Sequence, residues 1–117
     1  MTISINQAIE VHKEGKLEEA ERLYQKILET QPTHLMAINN LGVLLFSLGR
    51  LEEAEERYKK LIKLKPDFAE AYNNLSITLK ELDRFDEAEA SCRQAIVLKP
   101  DYANAFNNLG IALKEQD

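Results

Sequence analysis

The sequence predicts an all-α solenoid, in which short helices pair and the pairs stack in a row. A period of 34 residues carries this prediction, because one proline and one alanine recur in register: Pro32, Pro66 and Pro100; Ala20, Ala54 and Ala88. The second observation is helical spacing of the apolar residues within each period. The third is a turn residue between the two helical stretches. Repeats of this length are typical of units that bury their apolar faces against neighbouring units.

The repeat at 69–102 illustrates the two predicted helices. The first has one apolar face with the spacing i, i+3, i+7 and i+10: Tyr72, Leu75, Leu79 and Leu82. The second has another: Phe85, Ala88, Cys92, Ala95 and Ile96. The unit ends at Pro100, because the residue before a proline is pushed out of helical geometry. Cys92 occupies a core position, which in the earlier repeats holds Tyr24 and Tyr58.

Turn residues separate the two helices of each repeat. Gly15 and Gly49 fill this position in the first two repeats, and Asp83 fills it in the third. Glycine suits the left-handed residue that ends a helix, and aspartate tolerates that conformation less well. Small residues occupy the same position of the first helix in each repeat: Ala8, Gly42, Ser76 and Gly110. Small side chains there let paired helices approach to about 8–10 Å.

Charge placement supports the same boundaries. Acids such as Glu52 and Glu53 open the second helices, and lysines such as Lys63 lie near their ends, which complements the helix dipole. A solvated face explains these charges, and binding of a partner is the alternative. The alignment divides the chain into repeats 1–34, 35–68 and 69–102 and a half repeat 103–117. Together they are expected to form a single domain of residues 1–117 with about seven helices.

Composition limits the classes of partner and of chemistry. The net charge of −5 argues against nucleic acid or an anionic membrane as partner. Among 117 residues there are one cysteine and two histidines, His12 and His34, and they do not lie at metal-ligand spacing. We therefore expect no disulfide, no metal, no cofactor and no catalytic residues. The chain is predicted not to be an enzyme and, without a recognisable signal or membrane segment, to be cytoplasmic.

The repeat unit resembles the tetratricopeptide repeat (TPR). The order is an aromatic residue, leucine, a small residue and a large residue, followed by alanine, an aromatic residue and proline. The corresponding positions of the third repeat hold Tyr72, Leu75, Ser76, Leu79, Ala88, Cys92 and Pro100. The first repeat departs from the pattern, with Ser4 for the aromatic residue and Gln7 for the leucine. The resemblance implies a right-handed solenoid of antiparallel helix pairs that serves as an interaction module, with the first helices lining a concave groove.

Asparagines are the candidate binding residues of that groove. The resemblance places four positions of each first helix on it. Two of them form the asparagine rows Asn6, Asn40, Asn74, Asn108 and Ile5, Asn39, Asn73, Asn107. The other two form the rows Ile9, Val43, Ile77, Ile111 and His12, Phe46, Lys80, Lys114. An amide carries donors and an acceptor that match a peptide backbone. The asparagine rows resemble the asparagine ladder in the superhelix of the O-linked N-acetylglucosamine transferases. The predicted partner-binding residues are Asn6, Asn39, Asn40, Val43, Phe46, Asn73, Asn74, Ile77, Lys80, Asn107 and Asn108.

Alternatives remain open at this point. The amides could instead satisfy hydrogen bonds between repeats. The basic clamp that TPR domains use for acidic chaperone tails is missing: only Asn40 matches its pattern, and most of its positions hold Ile5, Ile9, Asn39, Glu70, Asn73 and Asn74. A self-assembling module that stacks through its terminal helices, giving a homo-oligomer, is a second hypothesis. A third is that the chain is the non-catalytic, N-terminal targeting piece of a larger transferase. The leading prediction is a module that binds a protein or peptide in an extended form.

Overall fold

The computed structural model of the protein describes residues 3–116, and within that range it contains helices, turns and no strand. The prediction of an all-α fold with about seven helices is confirmed. The helices are α1 (Ile5–Lys13), α2 (Leu17–Thr30), α3 (Leu35–Ser47), α4 (Leu51–Leu64), α5 (Ala69–Glu81), α6 (Phe85–Leu98) and α7 (Ala103–Glu115).

Side chains at the helix starts explain where two of the first helices begin. Ser4 caps α1: its Oγ accepts from the Gln7 N–H at 3.2 Å, and the Gln7 side chain accepts from the Ser4 N–H at 2.8 Å. This reciprocal pair satisfies two amide groups that the helix cannot bond internally. His34 acts similarly at α3, where its Nδ1 accepts from the Ala37 N–H at 3.2 Å.

The turns within the helix pairs have the geometry that the sequence predicts. Gly15, Gly49 and Asp83 all have positive φ, at 80°, 77° and 60°. The residue after each turn donates its N–H five residues back, as Arg50 does to the Leu45 carbonyl and Arg84 to the Leu79 carbonyl, both at 2.9 Å. Such a bond closes the end of a helix around a left-handed residue. Each turn is short, so the two helices that it joins run antiparallel.

The chain divides into two compact units, residues 1–57 and 58–117, with the boundary inside α4. In unit 1, α2 packs against α1 and α3, and α1 also contacts α3. Its core includes Tyr24, Ile38 and Leu44, which are fully buried. Ala8 and Ala20 are fully buried as well, as expected for small residues between closely packed helices.

In unit 2, α6 packs against both α5 and α7, and α5 also contacts α7. Its core includes Leu61, Leu79, Ala88 and Cys92. The prediction that Cys92 is a core residue is confirmed, and burial raises the pKa of its thiol. The organisation of the chain as one domain of three and a half repeats stays a prediction.

None of the helices within residues 3–116 is both long enough and apolar enough to span a bilayer.

Candidate functional site

The first helices of unit 1 carry an amide beside aliphatic and aromatic side chains. Asn40 and Phe46 on α3 are half-buried, and Val43 between them is 37% exposed. The opposite side of α3 faces the core, where Leu41 and Leu45 are each 3% exposed. Asn6 on α1 is exposed. We call Asn6, Asn40, Val43 and Phe46 the amide face of unit 1.

Unit 2 repeats this arrangement on α5 and α7. Asn74, Ile77 and Lys80 are half-buried on α5, and Asn108 is half-buried on α7. Asn107, which precedes Asn108, is exposed. These five side chains form the amide face of unit 2. Because α5 and α7 are in contact, Asn108 lies on a helix adjacent to Asn74 and Ile77.

The second row of predicted residues has a different environment. Asn39 and Asn73 are 8% and 4% exposed, so both are buried. Asn73 Oδ1 accepts a hydrogen bond from Asn108 Nδ2 at 2.9 Å. This bond joins α5 to α7. For Asn73, an inter-repeat hydrogen bond is therefore a role that the structure displays.

Tyr102 is a partner of Asn73 that sequence reasoning missed. Burial and the carboxylate of Glu70 raise the pKa of Tyr102, while a hydrogen bond from Asn73 lowers it. The tyrosine precedes α7, where the 34-residue period places Phe68 and His34 in the earlier repeats. Only the third repeat has a hydroxyl at this position, and that difference between repeats was the signal available in the sequence.

His12, which the repeat alignment places in the row of Phe46 and Lys80, is bonded within its own helix pair. Its Nδ1 lies 2.9 Å from the Tyr24 hydroxyl, and the two rings meet edge to face with centroids 5.7 Å apart. Burial lowers the pKa of His12 and raises the pKa of Tyr24 to about 12. At neutral pH the bond therefore joins a neutral hydroxyl to an uncharged imidazole, and the tautomer of the imidazole decides which of the two donates.

Many of the acids that open the second helices are paired with arginines. Arg50 Nη1 bonds Glu21 Oε1 at 2.8 Å, and Arg50 Nη2 bonds Glu53 Oε1 at 2.8 Å. Arg84 and Glu87 repeat the second of these pairs 34 residues later, at 2.9 Å. Hydrogen bonding to the arginine lowers the pKa of Glu53 and of Glu87. These pairs favour the solvated-face interpretation of the acidic runs.

Unit 1 also contains a cleft of about 440 Å³ that the sequence analysis did not predict. It lies beside α2, α3 and α4, away from the amide face. Its lining combines apolar side chains with acids: Glu21, Gln25, Leu28, Glu29, Leu41, Leu45, Glu53, Glu56 and Arg57.

No group of three His, Cys, Asp or Glu side chains within residues 3–116 is arranged to hold a metal ion.

Solved structures with a similar fold include two TPR domains with bound peptides. One is the first TPR of Spaghetti (RPAP3) bound to the HSP90 peptide SRMEEVD. It is 22% identical to this chain with a TM-score of 0.91, and the match covers 95% of this chain and 88% of that one. The other is the second TPR domain of human RPAP3 with the HSP70 peptide SGPTIEEVD, at 20% identity and a TM-score of 0.87, covering 92% of this chain and 90% of that one. These similarities establish the all-α helical-solenoid fold.

A third similar structure is that of MamA. It is 27% identical to this chain, with a TM-score of 0.90. The match covers 99% of this chain and 67% of MamA, so this chain spans about two thirds of that protein.

Family patterns match along most of the chain. The family described as "Tetratricopeptide repeat" matches residues 11–76, which is more than half of the sequence, and the family described as "TPR repeat" matches residues 78–117. These matches agree with the 34-residue period, the paired helices and the positive-φ turns described above. The chain therefore belongs to the tetratricopeptide repeat family.

Proposed function

We propose that this chain is a protein-interaction module, and that each amide face binds an extended segment of a partner protein. The proposal rests on one observation. Amides and apolar side chains lie together on the accessible side of helices whose opposite side is buried in the core. In unit 1, Asn40 and Val43 are accessible while Leu41 and Leu45 beside them are buried. Side chains on such helices are positioned before a ligand arrives, which reduces the entropy lost on binding.

The chemistry of these faces fits a peptide backbone. An asparagine amide offers both a donor and an acceptor, as a peptide bond does, so it binds the main chain without reading the side chains. Val43 and Phe46 in unit 1, and Ile77 in unit 2, add apolar contacts for the ligand. The peptides bound to the two RPAP3 domains support peptide binding as the role of this chain.

The proposed ligand differs from the acidic peptides bound by those two domains. Most of the positions that the family uses for a basic clamp hold aliphatic, amide or acidic residues in this sequence, Glu70 among them. Lys80 and Lys114 are the basic residues on the corresponding side of α5 and α7. We therefore propose a largely uncharged extended segment, rather than a tail that ends in several carboxylates.

The test is peptide selection on the wild-type protein, followed by titration of variants with the best binder. Asn40→Ala should weaken binding by about three- to tenfold, because one hydrogen bond contributes roughly 0.5–1.5 kcal/mol. Gln94→Ala is the matched control, since it removes an exposed amide from α6, outside both amide faces. Equal affinities for Asn40→Ala and wild type would contradict the proposal. Tighter binding of a peptide ending in EEVD would instead favour a chaperone-tail adaptor.

Self-association is a second candidate function, supported by the surface of α7. Phe106 and Leu113 are 51% and 40% exposed, and a Cβ added at Gly110 would meet no atom within 4 Å. In α5 the equivalent residues Leu79 and Ser76 are buried. An apolar strip of this kind is a contact site for a second copy of the chain.

Other parts of the proposal concern what the chain lacks and where it works. We propose that it has no catalytic activity or resident cofactor of its own and that it acts in the cytoplasm, as the sequence predicts. Assay of the purified protein and imaging of a tagged form in the native cell are the direct measurements.

A further inference from the structure

We propose that Asn73 is a positioning residue, which fixes the orientation of the Asn108 amide and makes Asn108 Oδ1 a constant acceptor for a backbone N–H of the bound peptide. This inference rests on the proposed function, because it names the group through which the amide face of unit 2 grips its ligand. Asn73 itself is 4% exposed, so its proposed role is to orient Asn108 and not to contact the ligand.

The geometry behind the proposal is the hydrogen bond between the two amides. Asn108 Nδ2 donates to Asn73 Oδ1 at 2.9 Å, and Asn108 is half-buried. If the Asn108 amide turned over, its oxygen would face the oxygen of Asn73 and two acceptors would meet. Tyr102, whose pKa Asn73 lowers, lies near the Asn73 amide. The oxygen of Asn108 is not used by the bond to Asn73, so it remains available as an acceptor.

The chain offers its own comparison. Asn108 follows Asn73 by 35 residues, and Asn40 follows Ile5 by the same interval. Ile5 has no polar atom in its side chain, so it cannot hold the Asn40 amide in this way. Asn108 therefore has a polar side chain that orients its amide, and the residue at the equivalent position gives Asn40 none. We expect the fixed amide to bind a backbone N–H more tightly, because the entropy of fixing its orientation is lost during folding and not on binding.

The experiment uses the full chain and the highest-affinity peptide selected on wild type. Asn73→Ile copies the Ile5 arrangement that already folds in unit 1, and it should weaken binding by about three- to tenfold. Asn73→Asp keeps an oxygen for Asn108 Nδ2, so it should stay within about twofold of wild type. In an Asn108→Ala background, Asn73→Ile should have no further effect on affinity.

A second measurement identifies the ligand atom. Methylation of the peptide backbone nitrogens, one at a time, should reveal a position at which the wild type loses affinity and Asn108→Ala does not. The gain-of-function variant Ile5→Asn should fix the Asn40 amide and tighten binding of peptides whose affinity depends on Asn40. This variant keeps the inference testable even if Asn73→Ile fails to fold.

The outcomes distinguish failure of peptide binding from failure of the positioning role of Asn73. If no peptide binds, or if Asn40→Ala and Asn108→Ala both bind as wild type does, the proposed function fails and the inference fails with it. If binding depends on Asn108 but Asn73→Asp is as weak as Asn73→Ile, only the positioning role is wrong. The same conclusion follows if Asn73→Ile remains costly in the Asn108→Ala background, because Asn73 then acts through the fold.

Discussion

At the scale of single residues, the same side-chain type serves different purposes at neighbouring positions. Asn39 is buried while Asn40, one residue on, is half-exposed. A helix turns by about 100° per residue, so adjacent residues differ in environment even when their chemistry is identical. In the pairs Asn39–Asn40 and Asn73–Asn74, the first asparagine is therefore buried between helices and the second is accessible from outside.

The His12–Tyr24 pair predicts a dependence of stability on pH. Burial lowers the folded-state pKa of His12 below its ordinary value of 6.5, so the unfolded chain binds this proton more readily. The stabilising contribution is fully present above about pH 6.5 and is lost as the pH falls through the lowered folded-state value. We expect the melting midpoint of wild type to fall more than that of His12→Phe between pH 7 and pH 5. Equal slopes for the two proteins, measured by circular dichroism, would contradict this assignment.

At the scale of helices, the packing depends on small side chains at fixed positions. Ala88 in α6 is 1% exposed and Ala95, two turns later, is fully buried. Ala90, on the same helix, is exposed. The helix therefore presents a narrow side of small residues to its neighbours and a polar side to water.

Enlarging one of these residues should destabilise unit 2. Ala88→Leu inserts three carbon atoms into a filled contact, so we expect a loss of about 1–3 kcal/mol in the free energy of unfolding. Ala90→Leu is the matched control on the exposed side of α6 and should change stability by less than about 0.5 kcal/mol. Chemical denaturation followed by circular dichroism measures both. A similar stability for the two variants would mean that α6 does not pack through Ala88.

The helices could be predicted from the sequence because the period, the turn residues and the prolines all mark the same boundaries. Predicted repeats begin at residues 35, 69 and 103, and α3, α5 and α7 begin at those residues. The binding face was harder to predict, since a pattern of residue types does not fix side-chain rotation. The bond from Asn108 to Asn73 depends on the approach of α7 to α5, and the turn of His12 toward Tyr24 depends on the pairing of α1 with α2.

At the scale of the whole molecule, the net charge of −5 and the exposed strip on α7 act in opposite directions on association. Like charge keeps copies apart over a distance that salt shortens, whereas apolar contact is little affected by moderate salt. The strip is small, so any association through it is expected only at high protein concentration.

Sedimentation over a wide concentration range tests this expectation. The apparent mass of wild type should rise at high concentration, and more so in higher salt. Leu113→Glu should remain monomeric, because it places a charge in the strip. Val97→Glu is the control, since Val97 is 70% exposed on α6, outside the strip. A strictly monomeric wild type at the highest concentration would remove self-association through α7.

The buried thiol of Cys92 gives unit 2 a built-in reporter of its own opening. Cys92 is the one cysteine of the sequence and has no exposed surface. A thiol reagent can reach it only when α6 moves away from its neighbours, so the labelling rate measures the population of the open form. A ligand that binds only closed unit 2 should slow labelling about a hundredfold at a concentration of 100 times its Kd. Binding can thus be followed on the unmodified chain, without attaching a dye to the face under study.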